Sequence, residues 1–180
     1  MPTAWAAAAA LAVTLAGCDS APRAPVLRDD PVYQNNLHGL RFLAPEGWTL
    51  RARSEVGPEK VDKERLLVDY QRKGGTKAAS FQASFADLPP TTDLAQYLAG
   101  PAFCAEKWIV TAAPEEIEVG GRSSLRYLLT ARVGKEPANR EVVCVGRGER
   151  VYLFNGLFAP DDAEARDEIR RAVASVIWKN

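Results

Sequence analysis

Histidine is almost missing from this sequence. It holds one, His38, together with three cysteines, Cys18, Cys104 and Cys144. So small a supply of imidazole and thiol leaves no His/Cys zinc set of ordinary spacing. The G-x-S-x-G elbow, H-E-x-x-H and the Walker phosphate loop do not occur either. An excess of charge of one sign is also lacking. Lys plus Arg and Asp plus Glu both number 23, so neither a nucleic-acid-binding basic field nor an acidic tail for a basic partner is expected. No resident metal and no cofactor is expected. What the sequence does have is an ordinary apolar fraction of 47% in 180 residues, enough for one domain with a real core.

The longest apolar run, Ala4 to Ala16, stands at the N-terminus, and residues 1–17 carry no Asp, Glu, Lys or Arg. It is shorter than the ~20 apolar residues that cross a bilayer, and polar, proline-bearing sequence follows it. Its length and its place fit a secretory signal, against an n-region without the usual Lys or Arg. The run ends in Leu15-Ala16-Gly17-Cys18, which resembles the lipobox of bacterial lipoproteins. The resemblance implies cleavage before Cys18 and acylation of its thiol and new amine. Two or more acyl chains hold a protein stably on a membrane. Asp19 resembles the inner-membrane retention residue of enterobacterial lipoproteins. Residues 18–37, with Pro22, Pro25 and Pro31 and no apolar period, read as a tether that reaches up to roughly 50 Å if extended. The chain thus divides into a signal (1–17), a lipidated tether (18–37) and a globular domain (38–180). The expected location is the cell envelope, facing the periplasm and held by lipid.

Within the domain, alternation marks strands. Trp48, Leu50 and Ala52 oppose Thr49, Arg51 and Arg53. Leu66, Val68 and Tyr70 share one side. Ala79, Phe81, Ala83 and Phe85 point in while Ser80, Gln82 and Ser84 point out. Leu125, Tyr127, Leu129, Ala131 and Val133 form another face. "RVYLFNGLF" is apolar on both faces, as a central strand should be. Leu94, Tyr97 and Leu98 form a short helical stripe with Thr91 or Thr92 as cap, and "AFCAEKW" adds a helical turn placing Cys104 and Trp108 on one face. Asp161 and Glu164 open a helix whose stripe is Ile169, Ala172, Val173, Val176 and Ile177. Strands at hairpin spacing with two helices indicate an α+β domain on an antiparallel sheet.

"GLRFLAPEGW" (39–48), "VGGRSSLRYLL" (119–129) and the C-terminal amphipathic helix are together similar to PsbP-like domains, which share a fold with the eukaryotic Ran-binding Mog-type import factors. The resemblance spans roughly residues 38–180. It implies an α-β-α sandwich around a twisted central antiparallel sheet. It implies little about activity, because members bind proteins or support assembly of large complexes.

The individual residues follow from these readings. His38, at the tether boundary, suits a surface or local hydrogen-bonding role better than catalysis. "VGRGER" is a turn, since a dinucleotide loop needs a third glycine and a following helix. "DDAEARDE" is a helix start enriched in acids, since an EF-hand loop needs a central glycine. Trp48, Trp108 and Trp178 could line a ligand groove, but Trp48 after the P-x-G turn and Trp178 at the end of an apolar stripe read better as core-edge anchors. Cys18 is the lipidated residue. Export and the acylation of Cys18 leave Cys104 and Cys144 as one pair, expected to form a disulfide. Lys60, Lys63 and Lys135 are candidates for a surface binding role, on the loop from Gly57 to Lys63 and the turn from Gly134 to Ala138, with the Gly120-Gly121 turn beside them. The expected function is a non-catalytic, monomeric binding or scaffold module for an envelope protein partner. A small-molecule or lipid carrier and an envelope hydrolase with an unrecognised carboxylate site stand as alternatives.

Overall fold

The computed structural model describes residues 31–55, 57, 63–73, 78–89, 91–99 and 108–179. Its elements in chain order are β1 (Val32–Asn35), β2 (Leu40–Leu43), β3 (Trp48–Arg53), β4 (Arg65–Arg72), β5 (Ser80–Asp87), α1 (Leu94–Ala99), β6 (Ile109–Val110), β7 (Glu115–Val119), β8 (Arg122–Val133), β9 (Glu136–Arg147), β10 (Arg150–Phe158), α2 (Ala163–Ala174) and β11 (Ile177–Trp178). Eight strands form one antiparallel sheet. Seven run in the order β3-β4-β5-β10-β9-β8-β6, and β7 also pairs with β8. A second sheet of three strands has the order β1-β2-β11.

The expected α-β-α sandwich of α+β class is therefore corrected. The molecule is mostly antiparallel β-sheet, with helices of only 6 and 12 residues among the described residues. Two segments read otherwise are strands. The stretch before His38, read as tether, forms β1, with Tyr33 buried and each of its residues paired to β2. The end of the chain, read as helix, leaves the helix at Ser175. Ser175 Oγ donates to Ala172 O at 2.7 Å and accepts from the Leu43 N–H at 2.8 Å. A hydroxyl that bonds back to the helix competes with its continuation, and β-branched Val176 and Ile177 favour the strand that follows. Ile177 accordingly does not extend the helical stripe: it pairs across from Arg41 and is 56% exposed.

The alternation in β5 does place Phe81, Ala83 and Phe85 in the core. β10 is central, lying between β5 and β9. Its Tyr152 and Phe154 join the core under α2 and the small sheet, and Leu153 joins a second core under α1. β4 departs from simple alternation. A bulge between Leu66 and Val68 brings Leu67 to complete burial while Leu66 stays partly exposed, as an extra residue in one strand does.

α2 closes on the sheet because β10 has Gly156 beneath it. A Cβ there would stand 2.6 Å from Ile169 Cγ2. Its cap is Asp162, one residue beyond the Asp161 expected, accepting from Ala165 N–H at 3.1 Å. The same carboxylate pairs with Arg72 of β4. Trp48 Nε1 donates to Glu168 at 2.6 Å, so Trp48 is the anchor its position suggested. On the other flank Arg170 donates to the buried Glu141 of β9 at 2.6 Å, and Arg126 of β8 lies 3.4 Å from it. No helix among the described residues is long and apolar enough to cross a membrane.

Candidate functional site

Strand alternation puts Cys144 of β9, Leu153 of β10 and Ser84 of β5 on the α1 side of the large sheet. Ser84 was expected to face solvent, yet it is buried, because Glu64 and α1 lie over it. Ser84 Oγ donates to Glu64 Oε1, and Tyr97 of α1 donates to Oε2 at 3.2 Å. Beside them Arg140 is buried and donates to Asn155 Oδ1 at 2.7 and 3.1 Å and to the Leu98 carbonyl at 3.2 Å. Its guanidinium carbon stands 5.8 Å from the Trp108 ring centre. Two polar ties, Tyr97 to Glu64 and Arg140 to Leu98, thus hold a six-residue helix that is too short to be stable alone.

Burial raises the Glu64 carboxyl from 4.5 to about 7, against the hydrogen bonds from Ser84 and Tyr97 and the charge of Arg140, which lower it. A carboxyl near 7 can gain and lose a proton at neutral pH. In this setting the proton is exchanged by a group that also ties down α1. Burial, with the nearby Glu64, pushes the Cys144 thiol up to about 12, so it is not a nucleophile at neutral pH. Glu64 escaped the sequence reading because it sits in a run of mixed charge, "EKVDKER". The one available signal was the apolar stripe of α1, which had to cover something.

A second constellation joins the two sheets. His38 is buried, not at the surface. Its Nδ1 shares a 3.1 Å hydrogen bond with Tyr152 OH, and its ring lies 4.5 Å from that of Phe85. Arg147, in the segment read as a turn, donates to the carbonyls of His38 and of Lys179, the latter at 2.7 Å, and sits 5.3 Å from the Trp178 ring centre. Gly39 has φ 59°, and a Cβ there would meet the Lys179 carbonyl at 2.7 Å. Gly120 has φ 57°, and a Cβ there would meet Trp178 Cδ1 at 2.7 Å. The glycines of "GLRF" and "VGGR" therefore serve one joint, where β11 docks. The Gly120 turn is packing rather than a free loop.

The remaining expected residues fall as follows. Cys18, Lys60 and Cys104 lie outside the described residues. Cys144 is a buried, free thiol here. Lys63 and Lys135 are exposed but not brought together. Lys63 adjoins the row Phe85–Tyr152–Val145–Ser124, whereas Lys135 lies beyond the far end of β8 from Ser124. Among the described residues no group of three or more His, Cys, Asp or Glu could hold a metal ion. A small open hollow of about 150 Å³ lies on the sheet between Arg51, Asp69, Gln82 and Leu157.

No sequence-family model matches the chain, and no curated protein matches it by sequence. Solved structures that share its fold include three of bacterial origin. The cyanobacterial PsbP (CyanoP) from Synechocystis sp. PCC 6803 is 13% identical, with TM-score 0.56, over 82% of this chain and 91% of that one. PA94 from Pseudomonas aeruginosa, a protein of unknown function, is 14% identical with TM-score 0.52, over 74% and 98%. LpqN of Mycobacterium tuberculosis, involved in cell envelope biogenesis, is 12% identical with TM-score 0.53, over 78% and 83%. The domain thus has a fold similar to that of PsbP-like proteins and of an envelope biogenesis protein.

Proposed function

We propose that this protein is a lipid-anchored accessory module of the bacterial cell envelope, facing the periplasm and acting by binding a protein partner rather than by catalysis. The observation that carries the reading is the fold shared with LpqN, which is involved in cell envelope biogenesis. The apolar run ending in Leu15-Ala16-Gly17-Cys18 supports the same compartment and supplies the anchor. The described interior supports a binding role as well. Its aromatic side chains are spent on one another, as in Phe42 against Phe81 and Phe154, which leaves recognition to the exterior. In-cell cross-linking followed by capture from solubilised envelope membranes tests this. A defined envelope protein recovered with the wild type, and lost on Cys18→Ala, supports it. Capture that is unchanged by Cys18→Ala contradicts the anchored form.

Glu64 favours a second reading, an envelope hydrolase using a carboxyl of raised pKa. Turnover of an envelope substrate that disappears in Glu64→Gln while the fold persists would select it over the first.

A further inference from the structure

The small sheet has one face in the core and one in solvent. Tyr33, Leu40 and Phe42 point inward, and Val32, Gln34, Arg41, Leu43 and Ile177 point outward. An outward face of an antiparallel sheet is ordinarily polar. Here Val32, Leu43 and Ile177 are 43%, 42% and 56% exposed. Val32 stands directly across from Leu43, and Ile177 stands across from Arg41, diagonal to Leu43. Leu37, in the turn between β1 and β2, is 51% exposed. Four of the seven exposed large hydrophobic residues described therefore lie on this sheet and its one turn. Scattered exposed apolar residues need no explanation, but a contiguous set does.

Arg41 is the one charged residue on the outward face. None of its outward residues is a carboxylate. Arg41, in its middle strand, makes no ion pair among the described residues, and exposed Lys179 follows β11 at the edge of the face, where its N–H donates to the Gly39 carbonyl at 2.7 Å. At the β1 edge Arg53, which pairs with Glu55, donates to the Gln34 carbonyl. Apolar side chains with Arg41 among them and Lys179 beside them match the boundary between acyl chains and anionic headgroups.

The path of the chain supplies the occupant. The described chain enters the fold at Pro31, whose carbonyl accepts from Ala44 N–H at 2.8 Å, beside the Val32–Leu43 pair. Cys18 stands thirteen positions earlier, a stretch that can span at most about 45 Å. A bilayer holding Cys18 is thus always within reach of this face, at high effective concentration.

We propose that the outer face of the small sheet docks on the surface of an anionic phospholipid bilayer, with Val32, Leu43 and Ile177 in the headgroup region and Arg41 against lipid phosphate. This deepens the lipid-anchored reading and rests on it. The mature acylated protein, carrying Leu43→Trp, is incorporated into vesicles of phosphatidylethanolamine and phosphatidylglycerol with brominated acyl chains. Val133→Trp, at the far end of the 12-residue β8, serves as the distant control. Both positions are exposed, so neither variant burdens the core. The expected result is loss of the added emission for Leu43→Trp, retention for Val133→Trp, and less quenching when Arg41→Glu is combined with Leu43→Trp. Equal emission at both positions in protein whose intact mass includes the acyl chains overturns the docking face and leaves the anchor standing. Emission at position 43 that follows protein density rather than bromine identifies a second copy as the occupant and also overturns the proposal. Absence of acyl mass on Cys18 removes the anchor and the docking face together.

Discussion

Glu64→Gln removes one ionisable group and leaves the shape of the site nearly unchanged. In the fold the carboxyl titrates at about 7, against 4.5 for an ordinary glutamate, and burial is the chief cause. A raised carboxyl pKa means that the fold holds the proton more tightly than the unfolded chain does. The stability that this contributes is fully present below pH 4.5 and is lost as pH rises through about 7. At 1.36 kcal/mol per pH unit, the difference amounts to at most about 3 kcal/mol. The glutamine side chain cannot ionise, so the variant does not share that loss. Urea unfolding of both proteins from pH 4.5 to 8.5 reads the effect, because other titrations cancel in the difference. The expected outcome is a stability difference, variant minus wild type, that grows with pH in favour of the variant and levels off above pH 7. A difference that stays flat from pH 5 to pH 8, or falls, refutes the placement of Glu64 beneath α1.

Three further outcomes follow from the geometry. Gly120→Ala forces both a left-handed backbone and a clash with Trp178, so it costs about 2 kcal/mol or more. Gly134→Ala has a similar φ and open space, so it costs only about 1 kcal/mol; thermal melts that rank the two equally would contradict the joint. Asp162→Ala removes the cap of α2 and the partner of Arg72 together. It should lower stability by about 2–4 kcal/mol in denaturant titrations, and a loss below 1 kcal/mol would show that neither contact matters. In reduced protein, the Cys144 thiol, pushed up to about 12 by burial, should resist alkylation at pH 8 until denaturant is added; modification at the rate of a free thiol would place it at the surface.

The legible parts of the fold were those where one physical signal decided the outcome. β5 and β10 were readable because alternation, and its absence, report directly on which faces are covered. The stripe of α2 was readable as far as Val176. Ile177 continued the same period, and only the hydroxyl of Ser175 and the open edge of β2 turned it into a strand. β1 was hidden because its prolines and charges lie upstream while Tyr33 alone marks burial. Leu66 was grouped with Val68 and Tyr70, and the burial of Leu67 beside Val68 was not foreseen, because a bulge has no signature in alternation. The glycines of "GLRF" and "VGGR" were recognisable as pattern, but their reason, the carbonyl of Lys179 and the ring of Trp178, lies at the other end of the chain. Glu64 and Arg140 were invisible for a related cause. A charged residue looks solvated in sequence, and only the tertiary position of α1 covers part of Glu64 and all of Arg140.

The anchor is the central claim, and the intact mass of the protein extracted from envelope membranes tests it most directly. The account predicts a chain beginning at Cys18, without residues 1–17, heavier by the mass of a diacylglyceryl group and an amide-linked acyl chain. A chain that retains residues 1–17, or one that begins elsewhere with an unmodified Cys18, would contradict it.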